Sequence, residues 1–159
     1  TPEYVAQALS HRQALRVITN NLNVAAAFAR TPNVEITMAG GTLRAFDRDI
    51  IGETAERFFS GFKTDIGIFG VGGIDEDGTL LDFHSGEVQA RQAILANCRT
   101  ALLVADASKF GRNATVRGGH LNDCHHFFTD KPLPESFRAI VEQYADRIHA
   151  AGEDRVNAA

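Results

Sequence analysis

Short apolar runs of strand length alternate with amphipathic stretches along most of the chain. Strands are predicted for the runs LRVITN, VEITMAG, TDIGIFGVGG, TALLVAD and CHHFFTD, and a brief β segment for GTLLDF. Helices are predicted for PEYVAQALS, NLNVAAAFAR, ETAERFFSGF, GEVQARQAILANC and PESFRAIVEQYA, with Pro2 and Pro134 suited to a first helical turn. The segment DRIHAAG fits either a last short strand or a continuation of the preceding helix.

This alternation predicts an α/β fold built on a mainly parallel open sheet with helices on both faces. The chain has 159 residues, which is enough for one domain with its own core. We expect that domain to cover residues 1–150, with a C-terminal tail over residues 151–159.

Composition narrows the class of protein. The chain is 44% hydrophobic and 23% charged with a net charge of −4, values typical of a soluble globular protein and not of a nucleic-acid-binding surface. No apolar run approaches the roughly 20 residues that span a bilayer, and the N-terminus lacks the layout of a signal peptide. Cys98 and Cys124 are expected to be reduced, buried thiols, and the compartment to be the cytoplasm.

The ends of the predicted strands are the first place to look for a ligand, because loops and helix N-termini converge there. Thr19, Asn20 and Asn21 follow the first strand and fit either helix capping or anion binding through free backbone N–H groups. The pair Gly40-Gly41 follows the second strand and fits a simple turn or a close approach to a ligand. Arg44 lies just beyond it and is a candidate anion-binding side chain.

The third strand ends in the stretch FGVGGIDEDG, where several glycines, which have no side chain to pack in a core, precede three acidic residues. Glycine inside a strand often marks the close approach of backbone or ligand, which makes Gly73 a candidate. A dinucleotide-binding motif is excluded, because Asp75 occupies the position of the last glycine in G-x-G-x-x-G. A calcium-binding loop is excluded as well, because with Gly78 as its obligatory glycine the first position of the loop would be Gly73, which is not an acid. Asp75 is therefore the candidate ligand-binding acid, while Glu76 and Asp77 are expected in a solvated turn.

Three further side chains complete the candidate site. Glu87 and Arg91 lie four residues apart near the start of a predicted helix, so they form either a surface ion pair or part of a ligand site. Lys109 lies in the loop SKFGRNA beyond the fourth strand and is either solvated or a phosphate ligand.

Two other kinds of site are not predicted. The cluster DCHH contains residue types that bind zinc, but adjacent residues on a strand point to opposite faces and no second cluster has the required spacing. No serine lies in a G-x-S-x-G elbow and Cys98 has no evident base, which argues against nucleophilic catalysis.

Five motifs occur in an order and at a spacing that resembles the C-terminal sensor domain of DeoR-type bacterial transcriptional regulators: TNNLNVA, AGGTLR, IIGE, GGIDEDGTLLDF followed by EV, and SKFGRNA. The resemblance runs from Thr1 to about Asp130 and more loosely to the end. It implies the Rossmann-like fold of ribose-phosphate isomerases, glucosamine-phosphate deaminases and CoA transferases. It further implies a repressor domain that senses a phosphorylated sugar or polyol, with glycerol 3-phosphate as the specific expectation.

The resemblance also implies a set of site residues. The phosphate is expected to lie among Thr1, Thr19 to Asn21, Gly40, Gly41 and Lys109, and the hydroxyl-bearing part of the effector to meet Asp75 and Glu87. Arg91 stands where most members of the family have lysine, so the charge is kept but the geometry differs.

Several expectations concern what accompanies this domain. The resemblance implies no cofactor, a homodimer or homotetramer, and operator DNA contacted only through an N-terminal winged helix-turn-helix module that this sequence does not contain. The first sheet strand and most of its phosphate loop are also expected to be missing, which would leave a sheet edge open or covered by a partner chain.

Two other functions fit the same residues. Asp75 and Glu87 would be the acid and base of a sugar-phosphate isomerase or deaminase, with His84 close in sequence, since fold does not fix function. The domain would alternatively be an oligomerisation module that binds no small molecule. The predicted function is effector binding, which the resemblance favours. Enzymes of the alternative class usually add a further acid or histidine, and an oligomerisation module would leave the strand-end glycines and Lys109 without an explanation.

Overall fold

The computed structural model describes residues 2–151, which form an alternating series of helices and strands. The helices are α1 (Pro2–Leu9), α2 (Leu22–Phe28), α3 (Glu53–Ser60), α4 (Ser85–Ala96) and α5 (Arg138–Gln143). The strands are β1 (Arg16–Thr19), β2 (Glu35–Met38), β3 (Thr64–Phe69), β4 (Gly73–Ile74), β5 (Thr79–Asp82), β6 (Cys98–Val104), β7 (Val116–His120), β8 (His126–Thr129) and β9 (Ile148–Ala150). Thr1 and the predicted tail beyond residue 151 lie outside the described residues.

Parallel pairing dominates the strand arrangement, as predicted. β3, β6, β8 and β9 form a four-stranded parallel sheet in that order, and β1 pairs in parallel with β2. The parallel strands form two separate sheets, because among the described residues no strand pairing joins β1 to β3. A groove separates these two strands, and both keep an unpaired edge along it.

A small antiparallel sheet of β4, β5 and β7 packs beside the parallel one. The stretch VRGGH that forms β7 was not predicted as a strand, because two glycines and an arginine hide its apolar pattern. The ambiguous segment near the C-terminus is resolved in favour of a strand, since β9 pairs in parallel with β8. The predicted last helix is shorter than expected, because a 3₁₀ turn over Glu135–Phe137 precedes α5.

The main core lies between the four-stranded sheet, the antiparallel sheet and the segment around α5. Its fully buried side chains include Ile74, Leu80, Leu103, Leu121 and Phe137. A second cluster of Ala55, Phe59, Ala90 and Ala93 joins α3 to α4 on one face of the parallel sheet. These contacts fix α4, whose N-terminus faces the edge of the sheet where the strands end.

Gly67 shows how closely α4 approaches the sheet. A Cβ atom at this position in β3 would lie 2.8 Å from both the Cys98 sulfur and the Ile94 side chain. The glycine therefore makes room for packing between a strand and a helix. On the opposite face of the same sheet, Ile66 and Phe128 are 56% and 40% exposed, so this face is open at both positions.

Among residues 2–151, no helix has the length and apolar character needed to cross a bilayer.

Candidate functional site

The groove between β1 and β3 has a volume of about 1350 Å³ and brings together residues from widely separated parts of the chain. The predicted site residues that line it are Thr19, Asn20, Asn21, Arg44, Glu87, Arg91 and Lys109. Gly40, Gly41, Gly73 and Asp75 do not line it, and Thr1 lies outside the described residues. The predicted residues that line it lie at or after the carboxyl ends of strands or near the start of α4, as the parallel topology predicts, whereas other polar residues of the groove lie at the amino ends of strands: Arg16, Thr64, Asp65 and Asn97.

Asn20 and Asn21 act as connectors at the end of β1. The Asn21 side-chain oxygen accepts hydrogen bonds from the N–H groups of Asn23 (2.9 Å) and Val24 (3.2 Å), which caps α2. The side-chain amides of Asn21 and Asn20 donate to the carbonyl oxygens of Asp47 (2.9 Å) and Ile50 (2.7 Å). Capping is thus the observed role, and the two amides tie β1 to the loop between β2 and α3.

Arg44 is surrounded by three carboxylates. Its guanidinium donates to both oxygens of Asp49 at 3.0 and 3.2 Å, and its Nη2 lies 2.5 Å from Glu87 and 2.8 Å from Asp47. Burial opposes its charge, but the hydrogen bonds that Arg44 donates to Asp49 and Glu87 outweigh this and raise the pKa of Arg44 above its usual value. Arg44 is therefore already charge-compensated, which weakens its candidacy as a free anion-binding side chain.

The predicted pairing of Glu87 with Arg91 does not form. Glu87 turns to Arg44 and also accepts a hydrogen bond from the His84 N–H at 3.3 Å. Arg91 is only 3% exposed and forms an ion pair with Asp82, while its Nη2 donates to the Gly118 carbonyl oxygen at 3.0 Å. The two side chains diverge because the packing of α4 buries Arg91 and leaves Glu87 at the rim of the groove.

Asp82 is a residue that the sequence analysis missed. Its Oδ1 accepts a hydrogen bond from the Gly72 N–H at 2.6 Å, and its other oxygen pairs with Arg91. Burial raises the pKa of the Asp82 carboxyl even though Arg91 and Gly72 favour the ionised form. The available signal was an acid inside the otherwise apolar run GTLLDF, where a charge needs a partner.

The glycine-rich turn after β3 serves the packing of protein backbone. A Cβ atom at Gly73 would overlap the carbonyl oxygen of Arg112, so the glycine lets the Arg112 loop approach the strand. Asp75 is exposed in the β4–β5 turn, where its N–H donates to the Thr79 carbonyl oxygen (3.0 Å). The structure thus gives Gly73 a role other than ligand approach and places Asp75 outside the groove. A role for Asp75 in holding hydroxyl groups remains a prediction.

The Gly40-Gly41 turn also lies away from the groove. Gly41 has a φ of +136°, and a Cβ atom there would press on Ile50 and Thr54. Nothing lies within 4 Å of the corresponding position at Gly40. Gly41 is therefore required by the turn itself, whereas Gly40 has open space beside it.

Lys109 ends a 3₁₀ turn formed by Ala107–Lys109 and lines the groove. Within residues 2–151, no ion pair involves Lys109. Its neighbour Arg112 was missed by the sequence analysis, also lines the groove, and has its guanidinium 5.0 Å from the centroid of the Phe83 ring. Both cations lie on the loop that follows β6.

The two cysteines are free and buried, as predicted. Burial raises the pKa of the Cys124 thiol to about 12. In the described part of the chain, no group of three or more histidine, cysteine or acidic side chains is placed to hold a metal ion.

Comparison with known proteins identifies relatives over most of the chain. The sequence profile described as the DeoR C terminal sensor domain matches residues 1–131. The chain is 45% identical over 144 residues to the glycerol-3-phosphate regulon repressor of Escherichia coli (strain K12), covering 91% of this chain and 57% of the repressor. It is 50% identical over 148 residues to the repressor of the same name from Haemophilus influenzae, covering 93% of this chain and 57% of that protein. Ribose 5 phosphate isomerase A from Neisseria gonorrhoeae aligns with a TM-score of 0.37 and 10% identity, covering 68% of this chain and 52% of the isomerase.

The profile covers most of the chain, and the two repressors share close to half of its residues over their aligned lengths. The chain spans 57% of the length of these two curated relatives. The match confirms the family resemblance carried by the five sequence motifs. This chain belongs to the family of DeoR C-terminal sensor domains.

Proposed function

We propose that this chain is the effector-binding domain of a bacterial transcriptional repressor, and that its effector is a small phosphorylated sugar or polyol. Glycerol 3-phosphate is the first candidate, since the relatives at 45% and 50% identity are named glycerol-3-phosphate regulon repressors. Effector binding would control operator binding by a winged helix-turn-helix module outside this chain. A cytoplasmic homodimer or homotetramer is part of the same proposal.

One observation carries the proposal: polar side chains from four separate parts of the chain line the rim of one groove. Asn21 follows β1, Arg44 follows β2, Glu87 opens α4 and Lys109 follows β6. Convergence of loops at the carboxyl ends of parallel strands is the usual position of ligand sites in α/β proteins. Hydroxyl groups suit the Glu87 rim, and a phosphate suits the cationic side at Lys109.

The groove also bears on the expected missing strand. β1 and β3 face each other with unpaired edges, and the walls between them include the apolar side chains of Val17, Ile18, Ile66 and Phe69. A further parallel strand in this position would join the two parallel sheets into one. The lower part of the groove would then be filled, and the polar rim would remain as the pocket.

Isothermal titration of the chain with glycerol 3-phosphate is the direct test. Glycerol, inorganic phosphate and a panel of sugar phosphates serve as comparison ligands. We expect saturable binding of a phosphorylated compound that weakens by about 10-fold or more in Lys109→Gln, the range for loss of a hydrogen bond to a charged group. Absence of binding across the whole panel would contradict the proposal. Conversion of a sugar phosphate by the protein, followed by NMR, would favour an isomerase instead.

A further inference from the structure

We propose that Arg112, held on the ring of Phe83, is a second phosphate-binding cation beside Lys109 and sets the preference for phosphorylated over unphosphorylated effectors. The inference rests on the proposed function and specifies where the anionic part of the effector binds. It moves the phosphate subsite away from Arg44, the arginine that the sequence analysis selected.

The first support is the distribution of charge along the groove. Arg44 faces three carboxylates, and Arg91 is buried against Asp82. A phosphate approaching either of them would have to displace or approach carboxylates, which costs electrostatic free energy. Neither guanidinium therefore offers a net positive potential to a dianion.

Lys109 and Arg112 differ from these two arginines. Within residues 2–151, no carboxylate oxygen lies within 4 Å of the charged nitrogens of either residue. Hydrogen bonds from Ser108 to the Asp106 carboxylate are the main cause of its lowered pKa, and the nearby charge of Lys109 is a smaller one. The Asp106 carboxylate is thus already bound by Ser108. The loop over residues 107–112 thus carries the cationic part of the groove.

The second support is the geometry of the Arg112 side chain. Its guanidinium carbon lies 5.0 Å from the centroid of the Phe83 ring, within the range of a cation–π interaction. A guanidinium has its donors in the plane of the group, so an aromatic ring that covers one face leaves them available to an anion. Arginine in this arrangement can bind two oxygens of a phosphate at once.

The third support is the rigidity of the loop that carries Arg112. The Gly111 N–H donates to the Ile74 carbonyl oxygen at 2.8 Å, and Phe110 packs edge-on against the Phe137 ring in the core. The Arg112 carbonyl oxygen lies against Gly73, where any side chain would displace it. The backbone of the loop that carries Lys109 and Arg112 is therefore held in place before a ligand arrives, which reduces the entropic cost of binding. This arrangement also gives the glycine-rich turn its link to function, since Gly73 positions the Arg112 loop.

Titration of Arg112→Gln with glycerol 3-phosphate, glycerol and inorganic phosphate tests the inference. We expect Kd for glycerol 3-phosphate to rise about 10-fold or more, and inorganic phosphate binding to weaken in parallel. Binding of glycerol should change by less than about 2-fold. Arg112→Lys keeps the charge but not the planar fork and should give an intermediate Kd. Phe83→Leu should raise Kd about 2- to 5-fold through loss of the cation–π contact.

Arg117→Gln is the matched control, because it removes the same charge from an exposed arginine in β7 that does not line the groove. It should leave Kd for all three ligands unchanged, and a melting curve checks that each variant is folded. The inference is overturned if Arg112→Gln binds glycerol 3-phosphate within 2-fold of the parent chain, or if it loses affinity for glycerol to the same degree. A parent chain that binds no phosphorylated compound would overturn the proposed function itself, which is a distinct result.

Discussion

Arg91 and Asp82 form an ion pair in the interior of the protein, with the Arg91 side chain 3% exposed and that of Asp82 8% exposed. The pair joins α4 to β5, and Asp82 extends the connection to the backbone N–H of Gly72. Through Gly118, Arg91 also reaches β7. One buried pair therefore connects the helix at the groove to the antiparallel sheet and to the turn after β3.

Removal of one partner of this pair should be strongly destabilising. We expect Asp82→Ala to lower the free energy of unfolding by about 3–5 kcal/mol, because it leaves an uncompensated buried guanidinium. Urea denaturation measures the effect. Asp65→Ala is the control, since its pairing with Arg99 spans 3.9 Å at an exposed position and should matter by less than about 0.5 kcal/mol. A cost below about 1 kcal/mol for Asp82→Ala would contradict this account of the pair.

The Cys124 thiol should make stability fall at alkaline pH. Its pKa in the folded protein is about 12, against an ordinary value of 9.0. Between these values the folded state binds the proton more tightly than the unfolded state, so stability is lost as pH rises from 9 towards 12. At pH 10, one unit above the unfolded pKa, the loss of stability from this group is on the order of 1 kcal/mol.

Urea denaturation of the parent chain and of Cys124→Ala at pH 8 and pH 10 isolates this contribution. The variant should lose less stability between the two pH values than the parent chain does. Equal losses in the two proteins would show that the thiol is not responsible. An alkylating reagent should also modify Cys124 slowly in the native state and rapidly in urea, because the thiolate is the reactive form.

Two glycines provide a matched test of packing. A Cβ atom at Gly118 would overlap the Arg91 guanidinium and lie 2.7 Å from a Val88 methyl carbon. We expect Gly118→Ala to cost about 1–3 kcal/mol of stability through overpacking. Gly40→Ala, with open space at its Cβ position, should change stability by less than about 0.5 kcal/mol. Thermal unfolding of both variants tests this expectation. Similar melting temperatures for the two variants would contradict the expected difference in their packing cost.

The Arg44–Glu87 contact should hold the loop between β2 and α3 against α4. Glu87→Ala should lower stability by about 1–2 kcal/mol, because it removes a 2.5 Å hydrogen bond between charged groups at a half-buried position. Hydrogen exchange of the amides over residues 41–51 should accelerate in this variant. Asp47→Ala is the comparison, since that carboxylate is 43% exposed and leaves Asp49 and Glu87 on Arg44. Unchanged exchange in Glu87→Ala would show that the loop is held by other contacts.

The sequence predicted much of the fold because local periodicity decides the type of an element. The runs that became β1, β3 and β6 are apolar and β-branched, and their strand character does not depend on the rest of the chain. β7 was not predicted, because a Gly-Gly pair has no side chains that could show the apolar pattern of a strand. Its existence depends on β5 beside it, which is a tertiary effect.

Part of the lining of the groove could be predicted from the sequence, whereas the partners of its charged groups could not. Parallel topology alone brings Asn21, Glu87 and Lys109 to the same edge, so their placement on one groove could be expected. The partners of charged groups could not, because Glu87 binds an arginine 43 residues away and Arg91 binds an acid on another element. Spacing along one helix identifies possible neighbours, while packing decides which of them meet.

The groove between β1 and β3 has a consequence for cooperativity. The segment from α1 to β2 shares no β-ladder with the four-stranded sheet in the described part of the chain. It is connected there by the asparagine amides at the end of β1, by the Arg44 cluster and by Ile18, which packs against the cluster between α3 and α4. We expect it to behave as a separate unit of local unfolding, whose amides in β1 and β2 exchange before those of β6. A molecule bound across the groove would make the two units unfold together and would raise the hydrogen-exchange protection of the amides in both. Native-state hydrogen exchange would then report binding at amides far from the bound molecule.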